Sequence, residues 1–179
     1  MTESVESLVC VHEKKLREYV SLLSSYEGKI RLTGPSDPEV LWNEHIVDCL
    51  HSVPYLPESG RTLDVGSGGG LPGLVWALCR PDLQVTLLDS VRKKCGALAE
   101  MASALQLENV QVVCARCEEY AVKEREVFQC AAARAVAAAD VLLEYLAPFV
   151  TVSGRVLAFK GPLYVEEIKP MEGKWARLG

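Results

Sequence analysis

Aromatic residues make up only 7% of this 179-residue chain, with three Phe, three Trp and six Tyr. A row of stacking platforms for single-stranded nucleic acid is therefore not evident. Long apolar runs are also missing, and none approaches the roughly 20 residues that a membrane span requires. The start, Met1-Thr2-Glu3-Ser4-Val5-Glu6, has no cationic segment leading into an apolar one. No secretory signal is expected, and the expected compartment is the cytoplasm. Basic charge is in short supply: 19 Lys and Arg face 24 Asp and Glu, for a net charge of −5 and a pI of about 5.3. Global attraction to nucleic acid is thereby disfavoured, although a local basic patch is not. Cys114-Ala115-Arg116-Cys117 is the one CxxC, and His12, His45 and His51 lie far upstream of it. A zinc site needs a second pair or a nearby histidine, so no metal is expected. Seven cysteines, an odd number, read as reduced thiols buried as small hydrophobes.

What is present suits a folded chain, with 49% hydrophobic residues and a length that suggests one domain with a small accessory piece. Val5, Leu8, Val9, Leu16, Tyr19, Val20, Leu23 and Tyr26 recur with helical period until Gly28,. A second helix is expected at Ser36-Asp37-Pro38, with Ser36 as its cap, running to a stop before Pro54. Residues 1–56 thus read as an N-terminal helical cap and residues 57–179 as one compact unit. From Arg61 the pattern alternates. Strands are expected at Arg61–Val65, Val85–Leu88, Val110–Cys114, Cys130–Ala133 and Arg155–Phe159. Helical stretches are expected up to about Arg80, over 91–107 and over 138–148. Such alternation predicts an α/β fold with a parallel sheet and helices on both faces. Cys130-Ala131-Ala132-Ala133 is the weakest of these strands, because alanine is a poor strand former.

Asp64-Val65-Gly66-Ser67-Gly68-Gly69-Gly70-Leu71-Pro72-Gly73 follows a predicted strand and opens a predicted helix. That is the context in which a glycine loop implies a ligand held against backbone. Gly68 to Gly73 also fits the dinucleotide pattern, so NAD stays open. Asp64 at the carboxyl end of strand 1 favours a cationic ligand such as S-adenosylmethionine over a pyrophosphate. Asp89, ending Leu87-Leu88-Asp89, can accept ribose hydroxyls in either cofactor. It could instead only cap the helix that follows. Arg92-Lys93-Lys94 opens that helix, where cations oppose the macrodipole unless they meet phosphate.

At these residues the chain resembles a class I, Rossmann-like methyltransferase. More narrowly, it resembles the bacterial 16S ribosomal RNA (guanine-N7) methyltransferases, the RsmG/GidB (glucose-inhibited division protein B) family. The likeness is carried by Leu32-Thr33, His45-Ile46-Val47-Asp48, the glycine loop, Leu87-Leu88-Asp89-Ser90, Arg116-Cys117-Glu118-Glu119, Arg134-Ala135-Val136-Ala137 and Phe159-Lys160-Gly161. It implies S-adenosylmethionine as cofactor, bound by Asp64, Gly66, Gly68, Gly70, Leu71, Asp89, Cys117, Glu118 and Arg134. It implies 16S RNA, in the small ribosomal subunit or its precursor, as partner, with His45, Arg92, Lys93 and Lys160 as RNA-side candidates and Arg134 positioning the substrate. Arg31 stands where the family pattern has asparagine. Only nineteen residues follow Lys160, so the last strands are expected to be missing or incomplete, with strand 5 as an apolar edge.

Guanine N7 carries an in-plane lone pair, so its methylation needs approach and orientation rather than a general base. The absence of an Asn/Asp-Pro-Pro-aromatic segment after strand 4 agrees with that. Arg134 could bind guanine O6 or a phosphate, or pair with Asp140 or Glu118. His45 and Asp48 share a helical face, either toward substrate or hydrogen-bonded to each other. Lys160 is a phosphate contact or a snorkelling edge residue. A class I methyltransferase acting on a small molecule or protein, and an NAD-binding oxidoreductase, remain the alternatives.

Overall fold

The computed structural model describes residues 4–34, 36–134 and 139–161. Helix α1 (Val5–Ser24) starts where the Ser4 hydroxyl accepts the Ser7 N–H at 3.2 Å, satisfying one of the first-turn donors. Its buried face is Leu8, Leu16, Tyr19, Val20 and Leu23, the stripe that the apolar spacing prescribes. Burying each of those large side chains contributes ~1.5–3 kcal/mol.

The second helical stretch runs from α2 (Pro38–Val40) through a π-helical segment (Leu41–Ile46) into α3 (Val47–Leu50). Its cap is Asp37 rather than Ser36. The Asp37 carboxylate accepts the Glu39 and Val40 N–H groups, both at 3.0 Å, and a charged acceptor at a helix N-terminus is favoured by the macrodipole. The Ser36 carbonyl is used elsewhere, accepting the Ser24 hydroxyl at 2.8 Å.

Strands β1 (Gly60–Val65), β2 (Leu83–Asp89), β3 (Val110–Cys114), β4 (Phe128–Arg134) and β5 (Val150–Phe159) pair in the order β3-β2-β1-β4-β5. Every pairing is parallel. The crossovers carry α4 (Gly73–Cys79), α5 (Arg92–Ala104), α6 (Cys117–Lys123) and α7 (Ala139–Leu146). The chain moves outward from β1 to β3 and then returns to the other side of β1. With right-handed crossovers, that reversal places helices on both faces. Cap helices, α4 and α5 share one apolar cluster that includes Leu16, Leu41, Leu74, Trp76 and Leu98. Tyr120, Leu142, Leu146 and Phe149 pack on the opposite face, against Leu63 and Val65 of β1.

Residues 128–134 form a strand despite their alanines, and one longer than the sequence suggests. Cys130 and Ala132 serve one cluster while Ala131 and Ala133 serve the other. A strand buried on both faces gains from its pairing with β1 and β5 what its propensity lacks. Helix α6 was absent from the expected elements. It has seven residues, too few for a periodic pattern, although Glu118 and Glu119 in its first turn and Lys123 in its last are the charges a helix favours there. The expectation about strands beyond Lys160 lies outside the described residues. β5 ends the described sheet, and Val152 on it is 89% exposed.

Candidate active site

The strand order reverses between β1 and β4, and there the carboxyl ends of the parallel strands diverge into a crevice. A cavity of about 820 Å³ opens at this point. Its wall is drawn from the ends of four strands: Gly66 to Gly69 after β1, Asp89 at the end of β2 with Ser90 and Val91 after it, Ala115 to Glu118 after β3, and Arg134 at the end of β4. His45 and the segment Arg31 to Gly34 close it from the side of the cap.

The glycine loop owes its shape to backbone that other residues avoid. Gly66, Gly68 and Gly70 have φ of +72°, +55° and +96°, conformations open to glycine at little cost. A Cβ on Gly73 would lie 2.2 Å from the Leu87 side chain and 2.9 Å from Asp64 Oδ2, so the start of α4 can press against the sheet only as glycine. The Tyr19 hydroxyl of α1 donates to the Gly69 carbonyl at 2.8 Å in a buried contact.

Asp89 does two jobs. Its Oδ2 accepts the Gly68 N–H at 3.0 Å and its Oδ1 accepts the Val91 N–H at 2.8 Å. It therefore fixes the loop and starts the turn into α5 while facing the cavity. Each carboxylate oxygen retains a lone pair for another donor. Asp64 sits behind the loop, fully buried and off the cavity wall. Its Oδ2 accepts the Gly73 N–H at 3.0 Å, whereas Oδ1 has no hydrogen-bond partner. Burial pushes its carboxyl up to about 7, against the opposing pull of the Gly73 N–H, because desolvation disfavours the charged form.

Arg134 is held neither by Glu118 nor, among the described side chains, by any other residue of its own half. Asp140 lies outside those side chains. The guanidinium crosses to the cap instead: Nη2 meets His45 Nδ1 and lies 3.6 Å from Asp48 Oδ2, and Nη1 donates to Cys49 Sγ at 3.6 Å. The π-helical segment and α3 present all three partners. Among the described residues, His45 and Asp48 each meet Arg134 rather than one another, so the alternative in which they are hydrogen-bonded together is not the arrangement found. Burial lowers the His45 pKa, and the adjacent guanidinium lowers it further, so the neutral ring can accept the arginine N–H.

Of the residues singled out from the sequence, Gly66, Gly68, Leu71, Asp89, Cys117, Glu118, Arg134 and His45 share the wall. Asp64, Gly70, Arg92, Lys93 and Lys160 lie off it. Lys94 is the member of its basic run that reaches the cavity. Cys95, Leu98 and Ala102 bury the inner face of α5, and Lys94 borders that face while Arg92 and Lys93 are exposed. Ser90, Val91, Arg116 and Tyr145 are wall residues that were not singled out for this role.

The cavity, lined by loop glycines, Asp89 and the apolar Leu71, Leu88 and Val91, has the size and mixed lining of a nucleoside-cofactor pocket. The family model described as GidB, rRNA small subunit methyltransferase G, matches residues 12–179. The chain belongs to this family. Curated relatives named ribosomal RNA small subunit methyltransferase G bear the GidB match out. The protein of Clostridium perfringens (strain SM101 / Type A) is 37% identical over 170 residues, 93% of this chain and 71% of that protein. That of Methylobacillus flagellatus is 37% identical over 165 residues, 92% and 79% of the two chains. That of Pseudothermotoga lettingae is 41% identical over 154 residues, 86% and 66%. Among solved structures, coclaurine N-methyltransferase bound to N-methylheliamine and SAH superposes with a TM-score of 0.56 at 16% identity, over 79% of this chain and 42% of that one. Precorrin-6y C5,15-methyltransferase from Geobacter metallireducens gives 0.53 at 14%, over 69% and 68%. These two show the class I methyltransferase fold. As a GidB-family methyltransferase, the chain uses S-adenosylmethionine as methyl donor.

Proposed function

We propose that this GidB-family chain methylates N7 of one guanine in 16S RNA of the small ribosomal subunit or its precursor. The observation that carries the reading is Arg134. It lines the donor cavity at the end of β4 and is held in place by His45, Asp48 and Cys49 of the cap.

S-adenosylmethionine supplies an electrophilic methyl group on a sulfonium. The chain's own residues bind and orient. Asp89, already fixed by two backbone N–H groups, offers its remaining lone pairs to the ribose hydroxyls. The positive-φ loop at Gly66 and Gly68, with Leu71, brings backbone against the donor. Cys117 and Glu118, at the start of α6, flank the adenine edge. Asp64 and Gly70 shape the loop from behind. Arg134 holds guanine O6 or a phosphate through its planar fork, leaving N7 free to approach the methyl. Contact between the guanidinium and N7 itself would occupy the attacking lone pair. His45 serves here as a hydrogen-bond acceptor for Arg134, and no proton has to be removed from N7, so catalysis rests on proximity and orientation. Arg92, Lys93 and Lys160 are peripheral phosphate contacts in this reading.

The test is transfer of labelled methyl from S-adenosylmethionine to small subunits lacking the modification, followed by mapping of the labelled base. Label at a guanine N7 is expected. Label entering proteins or metabolites while the RNA stays blank would refute the reading. So would tighter calorimetric binding of NAD than of the methyl donor.

A further inference from the structure

A second cavity, of about 380 Å³, adjoins the first. The two share the segment Arg31 to Gly34, so they form neighbouring compartments along one wall. Leu23 and Ile30 give the smaller cavity an apolar lining, and Tyr26 forms part of its side. The Tyr26 hydroxyl donates to Glu100, which fixes the ring. Two cations, Lys29 and Arg31, line it, together with one adverse charge, Glu27. All three are exposed. Among the described residues, neither Lys29 nor Arg31 has a carboxylate within ion-pair distance. Hydrogens replacing Cβ at Gly28 and Gly34 leave the approach open, since a Cβ there would meet nothing within 4 Å.

We propose that this cavity is a subsite for one nucleotide flanking the target guanine, with Lys29 and Arg31 as its phosphate contacts. The inference rests on the RNA substrate proposed above and adds where the neighbouring residue of the strand goes. Two unpaired cations beside an apolar floor and an aromatic wall match a nucleotide's phosphate and base. In a chain of net charge −5, such a local pair is what gives a strand a preferred direction away from the cavity that holds the donor. Arg31 borders both compartments and so reaches the phosphate that joins the target to its neighbour. Its planar, multidentate head suits a phosphate better than the asparagine of the family pattern.

The experiment measures binding of a short single-stranded RNA by fluorescence anisotropy across a salt series. Wild type is compared with Lys29→Gln, Arg31→Asn, Arg31→Lys and, as a control for bulk charge, Lys14→Gln on α1. Each neutralisation at 29 or 31 is expected to weaken binding about 5- to 10-fold at low salt. It should also lower the slope of log K against log salt by about 0.7, the value for one single-strand phosphate contact. Arg31→Lys should keep the slope, and Lys14→Gln should match wild type. The S-adenosylmethionine dissociation constant of Lys29→Gln should stay at the wild-type value. Unchanged slopes at 29 and 31, or an equal loss from Lys14→Gln, overturn the subsite. If wild type binds no RNA and labels none in subunits, the proposed function falls and takes the subsite with it. If wild type labels subunits and Lys29→Gln with Arg31→Asn does so at an unchanged KM for subunits, only the subsite falls.

Discussion

Asp89→Ala removes an acceptor from two backbone donors and a carboxylate from the cavity wall, and the two losses separate by assay. Gly68 is buried, so its N–H, now bonded to Oδ2 at 3.0 Å, would be left without a partner, at a cost of ~1–3 kcal/mol. The Val91 N–H, bonded to Oδ1 at 2.8 Å, belongs to a residue that is 45% exposed. Water can replace that bond, and its loss costs no more than ~1 kcal/mol. Unliganded stability should therefore fall by about 1–4 kcal/mol, which for a domain of this size is a drop in Tm of roughly 2–16 °C. A further loss of about 1–3 kcal/mol in donor affinity, or some 5- to 150-fold in Kd, is expected if the remaining lone pairs take the ribose hydroxyls. Asp89→Asn keeps one carbonyl oxygen and should fall between wild type and alanine in both readouts. Thermal unfolding without ligand and calorimetric titration with S-adenosylmethionine are the two measurements. An alanine variant melting within 1 °C of wild type (roughly 0.3 kcal/mol) and binding the donor within about twofold (0.4 kcal/mol) would refute the reasoning on both counts.

Arg134→Ala is expected to cut methyl transfer to RNA by about 10- to 100-fold, equivalent to 1.4–2.8 kcal/mol, while changing donor affinity far less; equal losses in both would make the residue structural. Asp48→Asn, which leaves the guanidinium without its counter-charge at 3.6 Å, should lower turnover in the same direction by a smaller factor. Asp64 gives a pH signature. Its carboxyl titrates near 7 in the folded chain and about 3.9 unfolded, so between those values the folded state holds a proton that the unfolded state has released. That contribution to stability is present below about pH 4 and is lost as pH climbs to 7. Asp64→Asn should flatten this part of the stability profile relative to wild type in urea melts from pH 4.5 to 8, and parallel profiles would sink the assignment. Ser52→Ala strands the buried Trp76 indole N–H, now donating to the serine hydroxyl at 2.7 Å, and should cost ~1–3 kcal/mol by chemical denaturation.

The alternation of short apolar runs with helical stretches was enough to read four crossovers' worth of parallel sheet, because two-sided burial favours apolar residues in strands such as Leu83–Asp89, where every residue but Gln84 is buried,. Val110–Cys114 has the same bounds in sequence and structure. The alanines of β4 and the seven residues of α6 were hard to read for opposite reasons. In β4 tertiary pairing outweighs propensity, and in α6 there are too few turns to establish a period. The glycine loop was legible as a required backbone conformation, since so many glycines together call for positive φ, which Gly66, Gly68 and Gly70 adopt, and Asp89 shares a cavity wall with that loop. The surroundings of Arg134 were not. Its partners at 45, 48 and 49 lie more than eighty positions away, and nothing in local spacing announces contacts between a strand end and a cap helix. The three-residue run at 92 to 94 announced a basic patch without saying which member faces inward; the buried stripe of α5 decides that.

The Tyr19 hydroxyl reaching the Gly69 carbonyl makes the first helix a strut for the glycine loop. A Cβ on Gly69 would come within 2.9 Å of Leu23 and 3.1 Å of Thr33, so the strut's flank and the segment after it press on the same turn. A fragment begun at residue 57 would keep every described strand and still lose the brace that holds that turn in shape. Its failure to retain the methyl donor, with secondary structure largely preserved by circular dichroism, is the outcome this buttress implies. The helices ahead of the sheet would then count as part of the pocket's foundation, and a graft of the sheet alone onto another scaffold would inherit the loop's residues without its rigidity.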